Sequence, residues 1–217
     1  MIELYDLCLK DDLRISPYCW RTKAVLTHKN LPFTTIPVSF TEKDKLAFSG
    51  QDRVPVIKDN GTVVNDSWAI AKYLEEKYPE PKLFPTLGIR ESCRFFNLFV
   101  DNTVHGALIR VFVNDIFAHT LEKDRAYFRA DREKRFGMTL EQLAAQRDAN
   151  RPQMQEVLNQ LEATLAGQDY FYGQFTYADL CLFGTFKWVT SVSNEPFLDQ
   201  TPHVRAWWER MQKQLGL

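Results

Sequence analysis

The sequence predicts a mixed α/β domain followed by an all-helical domain. Over residues 1–80, short runs of β-branched and aromatic residues alternate with segments of helical spacing. The stretch "PEPKLFP", residues 79–85, contains three prolines and indicates a stiff connection. Beyond about residue 88 the strand pattern gives way to helix-periodic segments. We therefore divide the 217 residues into an N-terminal domain at 1–80, a linker at 81–87 and an all-α domain at 88–217.

The first elements of the N-terminal domain are a strand, a helix and a second strand. "IELYDL" at residues 2–7 is typical of a short strand. Ser16 and Pro17 predict a helix start, because serine is a good N-cap and proline suits the first helical position. "FTTIPVSF" at 33–40 predicts a strand at a sheet edge, since Pro37 has no N–H for a ladder.

A hairpin and a helix complete the domain. Asp59-Asn60-Gly61 is a strong turn pattern between two valine-rich runs. Asp66 or Ser67 caps the helix "SWAIAKYLEEKY". The resulting order β-α-β-(α)-β-β-α is that of a thioredoxin-like domain.

Four helical segments are predicted in the second domain. They cover residues 89–115, 139–167, 176–192 and 203–215. The second segment is one helix or two: Gly167 is its expected C-cap, and Pro152 predicts a kink or a break near Asn150.

Composition excludes several function classes. The net charge of −1, with Lys and Arg scattered among Asp and Glu, argues against a nucleic-acid or anionic-membrane partner. Four cysteines far apart suggest neither a disulfide framework nor a zinc site, and no histidines form a ligand-like pair, so no metal is expected. The N-terminal residues lack the pattern of a signal peptide, and no segment is apolar enough for a membrane span. A cytoplasmic location is the expectation.

Ser16-Pro17-Tyr18-Cys19 has the spacing of a redox C-x-x-C motif, with serine in place of the leading cysteine. A thiol placed at a helix N-terminus is favoured as its thiolate, and a serine hydroxyl can donate a hydrogen bond to it. Taken alone, Ser16 is more simply an N-cap.

Two further features flank this helix start. A cis Val54-Pro55 bond would leave the Val54 backbone N–H and C=O free at the sheet edge, where an extended peptide can pair. Asp66 and Ser67 begin a helix whose unpaired N–H groups suit a ligand carboxylate. The simpler alternative is that both residues only cap their helix.

Together these features resemble the glutathione transferases. The resemblance covers essentially the whole chain and rests on Ser16, on Val54-Pro55, and on Asp66-Ser67 ahead of "AIAKYLEEKYP". In the second domain Thr176 and Asp179 are similar to the family's N-capping box. "YDL…ISPYCWRTKAVLTHKNLPF" and "RVPVIKDNGTVVNDSWAIAKYLEEKYP" resemble the serine-type branch that contains the bacterial β-etherase-like and fungal Fu transferases.

The resemblance implies that glutathione supplies the missing sulfur as cosubstrate. Ser16 is then the catalytic residue that stabilises the glutathione thiolate, and Val54, followed by Pro55, pairs with the cysteinyl backbone. Asp66 and Ser67 hold the γ-glutamyl end.

For the other end of the tripeptide, Arg53 and Lys43 are the expected partners of the glycine carboxylate. Asp101 is implied to reach a partner subunit's site, although an exposed helical aspartate is the plainer interpretation. Relatives are commonly homodimers.

The second substrate is expected to be a small hydrophobic electrophile in a cleft between the domains. The residues predicted to contact it are Leu9, Trp20, Asn97, Arg110 and Phe112. The predicted reaction is attack by the thiolate on an electrophilic carbon, including cleavage of an aryl ether.

Two alternatives remain open. Cys19 shares a helix face with Ser16 and would serve a glutathione-dependent thiol reductase, although a cysteine one turn into a helix is usually a small buried hydrophobe. The other alternative is a protein that binds glutathione or a ligand without catalysis, since fold does not imply function.

Overall fold

A four-stranded sheet forms the centre of the N-terminal domain. The computed structural model describes residues 1–217. The strands are β1 (Ile2–Leu7), β2 (Phe33–Val38), β3 (Val56–Asp59) and β4 (Thr62–Asn65), in the spatial order β2-β1-β3-β4. β1 is parallel to β2 and antiparallel to β3, and β3 is antiparallel to β4. The sheet is that of a thioredoxin-like domain, as predicted, and β2 lies at its edge.

Local chemistry accounts for the elements around the sheet. The parallel pair β1–β2 is joined by α1 (Pro17–His28), and α2 (Ser67–Lys77) follows the hairpin. Between β3 and β4, Asn60 and Gly61 both have positive φ, 49° and 89°, which is the backbone of a tight hairpin turn. α1 contacts β1 and α2 within its own domain and α8 (Tyr177–Val192) of the other.

The second domain is entirely helical. Its other helices are α3 (Leu87–Phe99), α4 (His105–His119), α5 (Glu122–Phe136), α6 (Leu140–Ala145), α7 (Arg147–Leu165) and α9 (Pro202–Leu215). A π-helical turn, Val100–Val104, joins α3 to α4. No helix has both the length and the apolar composition that crossing a membrane would require.

The helix α5 was absent from the sequence prediction. Ten of its fifteen residues are charged, so it carries almost no apolar periodicity. Acidic residues in its first turn and Lys134 and Arg135 in its last complement the helix dipole. Phe128 is its fully buried anchor.

The 139–167 segment is two helices, and the break lies earlier than predicted. α6 has a capping box between Thr139 and Gln142, and the chain leaves helical geometry at Gln146. Pro152 lies inside α7, so the proline does not end the helix. At the other end Gly167, with φ 81°, follows the C-cap Ala166.

The two domains share one core. A cluster of 49 buried hydrophobic residues extends from β1 and α1 through α8 to α9. Arg21 of α1 is fully buried against α8, where it donates hydrogen bonds to the Cys181 carbonyl and the Thr185 hydroxyl at 3.1 Å each. The connection between the domains is held by Lys29, whose ammonium donates to Glu75 at 2.7 Å and to the Pro81 carbonyl at 3.0 Å.

Candidate active site

A cleft of about 230 Å³ lies between the two domains. From the N-terminal domain it is lined by the start of α1 and by residues around Lys43 and Val54. From the helical domain it is lined by α4, α5 and α8. A second, adjoining cavity runs along Val54, Pro55, Asp66 and Ser67, so the two form one continuous surface past Tyr18.

Ser16 lies at the junction of the sheet and α1, with its side chain in the cleft. It is the N-cap of α1: its hydroxyl oxygen accepts a hydrogen bond from the Cys19 N–H at 3.2 Å. That hydrogen bond uses a lone pair of the hydroxyl and leaves its proton available to donate. The positive end of α1 and this proton therefore meet at one point of the cleft, which is a favourable place for an anion.

The Val54-Pro55 peptide bond is cis, which confirms the sequence prediction. Val54 lines both cavities, and its N–H and C=O form no hydrogen bond within the chain. Because backbone groups need partners, this short extended segment offers an edge on which a bound peptide can pair.

Asp66 and Ser67 form the far wall of the second cavity. Asp66 is the N-cap of α2, and its carboxylate accepts from the Ala69 N–H at 2.9 Å. Its φ of 70° and ψ of 127° are unusual for a residue other than glycine, and such strain is concentrated at functional sites. Ser67 is buried as the first residue of the helix, where the unpaired N–H groups of the first turn suit a ligand carboxylate.

Lys43 and Arg53 bring positive charge to the mouth of the cleft. The Lys43 ammonium pairs with Asp52 at 2.8 Å, and hydrogen bonding to that carboxylate raises the pKa of the lysine. The Arg53 side chain is 91% exposed, and its Nε lies 4.0 Å from Asp52. Gln51 fixes the backbone of Arg53 by accepting from its N–H and donating to its carbonyl.

Tyr18 was not predicted as a site residue, yet it borders both cavities. Burial is the main cause that raises the pKa of its phenol, so it stays a neutral hydrogen-bond donor. The Arg21 guanidinium lies 4.9 Å from the centre of its ring. Its position between Ser16 and Cys19 on the first turn of α1 is the sequence feature that could have identified it.

Asp101 lies in the π-helical turn and pairs within its own chain. Its carboxylate is 2.7 Å from the Arg21 guanidinium and accepts from the Asn97 amide at 2.7 Å. It borders the second cavity together with Ser67. The plainer interpretation as an exposed aspartate is therefore incorrect, because only 25% of the side chain is accessible.

Cys19 is completely buried beneath Ser16. Burial, and secondarily the nearby Asp6 carboxylate, raises the pKa of its thiol well above the ordinary value. Its sulfur faces the Tyr5 carbonyl at 3.9 Å. This is the environment of a packing residue, the opposite of the accessible, acidic thiol that disulfide exchange requires.

The five residues predicted to contact the electrophile do not line the cleft. Leu9 and Phe112 are buried in the core, Phe112 against Phe197 with ring centres 6.0 Å apart. Asn97 is buried too, where its amide oxygen accepts from the Tyr177 hydroxyl at 3.0 Å. The prediction that these three residues contact the electrophile is therefore wrong. Leu9 and Phe112 pack in the hydrophobic core, and Asn97 forms a buried hydrogen bond.

Trp20 and Arg110 are directed elsewhere by local contacts. The Trp20 indole donates to the Arg14 carbonyl at 2.8 Å, and the Lys23 ammonium covers its ring at 4.0 Å. The Arg110 guanidinium lies 5.7 Å from the centre of the Phe136 ring. Both predictions are therefore corrected as well.

Seven other side chains line the part of the cleft that lies away from Val54, and we call this part the acceptor end. They are Phe40, His105, Ile109, Ile116, Arg132, Arg135 and Trp188. Sequence reasoning missed Arg132 and Arg135 because it did not find α5. Burial, with a smaller contribution from nearby arginines, lowers the pKa of His105 to about 3, so its imidazole is neutral.

Family comparison agrees with this geometry. Residues 12–82 match "Glutathione S-transferase, N-terminal domain", and residues 93–215 match "Glutathione S-transferase, C-terminal domain". Glutathione S-transferase Z2 of Arabidopsis thaliana is 38% identical over 71 residues, which are 30% of this chain and 32% of that protein. The match therefore spans about a third of the length of that relative.

Solved structures resemble the whole chain. Glutathione transferase GSTFuA2 of Phanerochaete chrysosporium superposes with a TM-score of 0.85 at 26% identity, covering 99% of this chain and 96% of the other. A glutathione S-transferase of Ceriporiopsis subvermispora, solved in complex with glutathione, gives 0.85 at 25% identity, over 100% and 98%. The β-etherase LigF of Sphingobium sp. strain SYK-6 shares the fold, with 0.69 at 20% identity over 99% and 98%. The chain belongs to the glutathione S-transferase family.

Proposed function

We propose that the protein is a glutathione transferase in which Ser16 stabilises the thiolate of bound glutathione. The observation that carries this proposal is the position of Ser16. Its hydroxyl proton has no acceptor within the chain, while its oxygen is fixed by the Cys19 N–H at the positive end of α1. A thiolate bound there gains a hydrogen bond and the field of the helix.

The second cavity fits the rest of the tripeptide. Val54 pairs its free N–H and C=O with the cysteinyl backbone, and Pro55 shapes the segment that carries it. The γ-glutamyl carboxylate binds at Ser67 and the start of α2, with Asp66 facing the ammonium. Lys43 and Arg53 take the glycine carboxylate at the cleft mouth.

The reaction is a nucleophilic substitution on a hydrophobic electrophile in the cleft. The thiolate donates its electron pair to the electrophilic carbon and forms a C–S bond. The bond to the leaving group breaks, and that group departs with the bonding pair. When the leaving group is an aryloxide, the products are a thioether and a phenolate, which takes a proton from water. Cleavage of an aryl ether is thus within the reach of this mechanism.

We also propose a cytoplasmic homodimer. Helix α3 exposes Leu87, Phe95 and Leu98, with 67%, 75% and 43% of their surface accessible. Three large apolar side chains exposed on one helix favour contact with a second copy.

The decisive experiment compares Ser16→Ala with Thr86→Ala. Both remove a side-chain N-cap, since Thr86 accepts from the Ile89 N–H at 3.2 Å, but only Ser16 lines the cleft. We expect Ser16→Ala to raise the pKa of the bound glutathione thiol and to lower the conjugation rate at neutral pH by about tenfold or more. The thiol pKa is measured by ultraviolet titration of the complex, and Thr86→Ala should leave it unchanged.

The same titration distinguishes a transferase from a binding protein. If glutathione bound to native protein has the same thiol pKa as glutathione free in solution, the proposed role of Ser16 is wrong. That result would favour a protein that binds glutathione without catalysis. Equal thiol pKa values for native protein and Ser16→Ala would also reject Ser16 as the activating group.

A further inference from the structure

The acceptor end of the cleft contains two arginines of α5, of which Arg132 is ion-paired with Asp131 and Arg135 has no carboxylate partner. Arg135 forms no ion pair or hydrogen bond within the chain, and its guanidinium lies 5.8 Å from the centre of the Phe136 ring. Arg132 contacts Asp131 through one nitrogen, but its Nε is buried without any partner. A buried donor without an acceptor is costly unless a ligand or water satisfies it.

The cleft as a whole is cationic. Four positive side chains line it, Lys43, Arg53, Arg132 and Arg135, against one carboxylate, Asp52. That carboxylate is already paired with Lys43 at 2.8 Å. A recess lined by one sign of charge and apolar walls concentrates its field on whatever enters, which favours an anion.

The remaining walls at this end are apolar. Half-buried Phe40 exposes aromatic surface to the cleft, and the largely buried side chains of Trp188, Ile109 and Ile116 complete the apolar lining. The neutral His105 ring lies between them, 4.8 Å from the centre of the Trp188 ring, and its Nδ1 has no hydrogen-bond partner. This end therefore combines surface for a planar ring with two guanidinium groups at its edge.

We propose that the electrophile of this enzyme is an aromatic molecule that carries a carboxylate, held by Arg132 and Arg135. This inference rests on the proposed transferase function and names its substrate class. The aromatic ring packs against half-buried Phe40, and the carboxylate accepts hydrogen bonds from the accessible guanidinium nitrogens of Arg132 and Arg135. Guanidinium–carboxylate pairs combine charge with fixed geometry, so they select for the acid over its neutral analogues.

The alternative occupant of the two arginines is the glycine carboxylate of glutathione. Lys43 and Arg53 already stand beside Val54, in the same domain as the rest of the tripeptide site. Arg132 and Arg135 come from the opposite domain, alongside Ile109, Ile116 and Trp188. The two arginines also line a further cavity together with Lys43 and Arg53, so the affinities for the two ligands are measured separately.

The test measures binding by isothermal titration, with 1-naphthoate and its neutral counterpart 1-naphthamide as probes. The protein is saturated with S-methylglutathione, which fills the tripeptide site without reacting. We expect native protein to bind 1-naphthoate at least about tenfold more tightly than 1-naphthamide, as for a charge-assisted contact. Arg132→Gln and Arg135→Gln should each reduce this preference, and the double variant should abolish it.

The control variant is Arg205→Gln, which removes an exposed arginine of α9 that lines no part of the cleft. It should retain the full preference for 1-naphthoate. Arg132→Lys, which keeps the charge, should retain part of it even if the glutamine variant folds poorly. In all these variants the affinity for glutathione should stay within about twofold of native protein.

Two results would overturn the inference. One is equal affinity of native protein for 1-naphthoate and 1-naphthamide. The other is loss of glutathione affinity in the double variant with unchanged binding of 1-naphthoate, which would assign the arginines to the tripeptide. Selective binding of 1-naphthoate by a protein that does not bind glutathione would refute the proposed transferase function and leave the anion site standing.

Discussion

Gly184 of α8 lies against Pro17, the residue that follows the proposed catalytic serine. A β-carbon at Gly184 would stand 2.6 Å from the Pro17 carbonyl oxygen and 2.7 Å from the Arg21 backbone nitrogen. No real β-carbon tolerates such distances to backbone atoms. The helical domain therefore sets the position of the first turn of α1, and with it the position of Ser16.

Gly184→Ala should separate these two helices. We expect it to reduce the free energy of unfolding by about 1–3 kcal/mol, as overpacking does, and to lower glutathione affinity by displacing Ser16. Urea unfolding and isothermal titration measure the two effects. The matched control is Gly106→Ala on α4, where a β-carbon meets nothing within 4 Å. It should be neutral or stabilising by up to about 1 kcal/mol, and equal effects of the two substitutions would contradict the close approach.

Arg21→Met should destabilise the fold by about 3 kcal/mol, because it leaves Asp101 without its buried partner. The ion pair joins α1 to the π-helical turn at 2.7 Å, and the Arg21 side chain is only 1% exposed. Urea unfolding of Arg21→Met, Asp101→Asn and the double variant forms a double-mutant cycle. We expect the double variant to lose less stability than the sum of the single losses, and strict additivity would show that the pair is not coupled.

Cys19 should resist modification in the native protein. It is fully buried and burial raises its thiol pKa, whereas Cys8 is partly exposed. After treatment with glutathione disulfide, mass spectrometry of native protein should find the adduct on Cys8, and Cys8→Ser should remove it. Denatured protein should be modified at both positions. A native adduct on Cys19 would revive the thiol-reductase alternative.

Asp179 should make stability depend on pH between about 4 and 6. Burial raises the pKa of its carboxyl to about 6 in the folded protein, against about 3.9 when unfolded. As pH rises, Asp179 loses its proton in the unfolded chain at a lower pH than in the folded protein. The stability that protonated Asp179 contributes is therefore complete below about pH 4 and falls as pH rises to about 6. The change is up to about 3 kcal/mol.

The measurement compares Asp179→Asn with native protein in urea at several pH values. The free energy of unfolding of native protein, relative to that of Asp179→Asn, should fall as pH rises from about 4 to about 6 and stay constant above about pH 6. Asp199→Asn, at an exposed carboxyl, is the control and should show no such trend. A difference in free energy of unfolding between native protein and Asp179→Asn that is constant across this range would contradict the raised pKa of the Asp179 carboxyl.

Much of the fold follows from local sequence chemistry. The Ser16-Pro17 helix start, the Asn60-Gly61 turn and the Thr176–Asp179 capping box each concern neighbours in the chain, and all three appear in the structure. Patterns over a few residues encode such features because the groups that satisfy each other are close in sequence. The helix α5 escaped prediction because its charges leave no apolar stripe to recognise.

The sequence by itself determined the family, the order of elements in the N-terminal domain and the residues of the proposed tripeptide site, because these depend on short motifs in a fixed order. Only the tertiary structure decided what meets across the cleft. Asn97 and Phe112 turn into the core, while Arg132 and Arg135 reach the acceptor end from a helix more than 100 residues beyond Ser16. Which face of a helix is buried and which meets a distant partner is set by the packing of whole domains, and no local pattern records that choice.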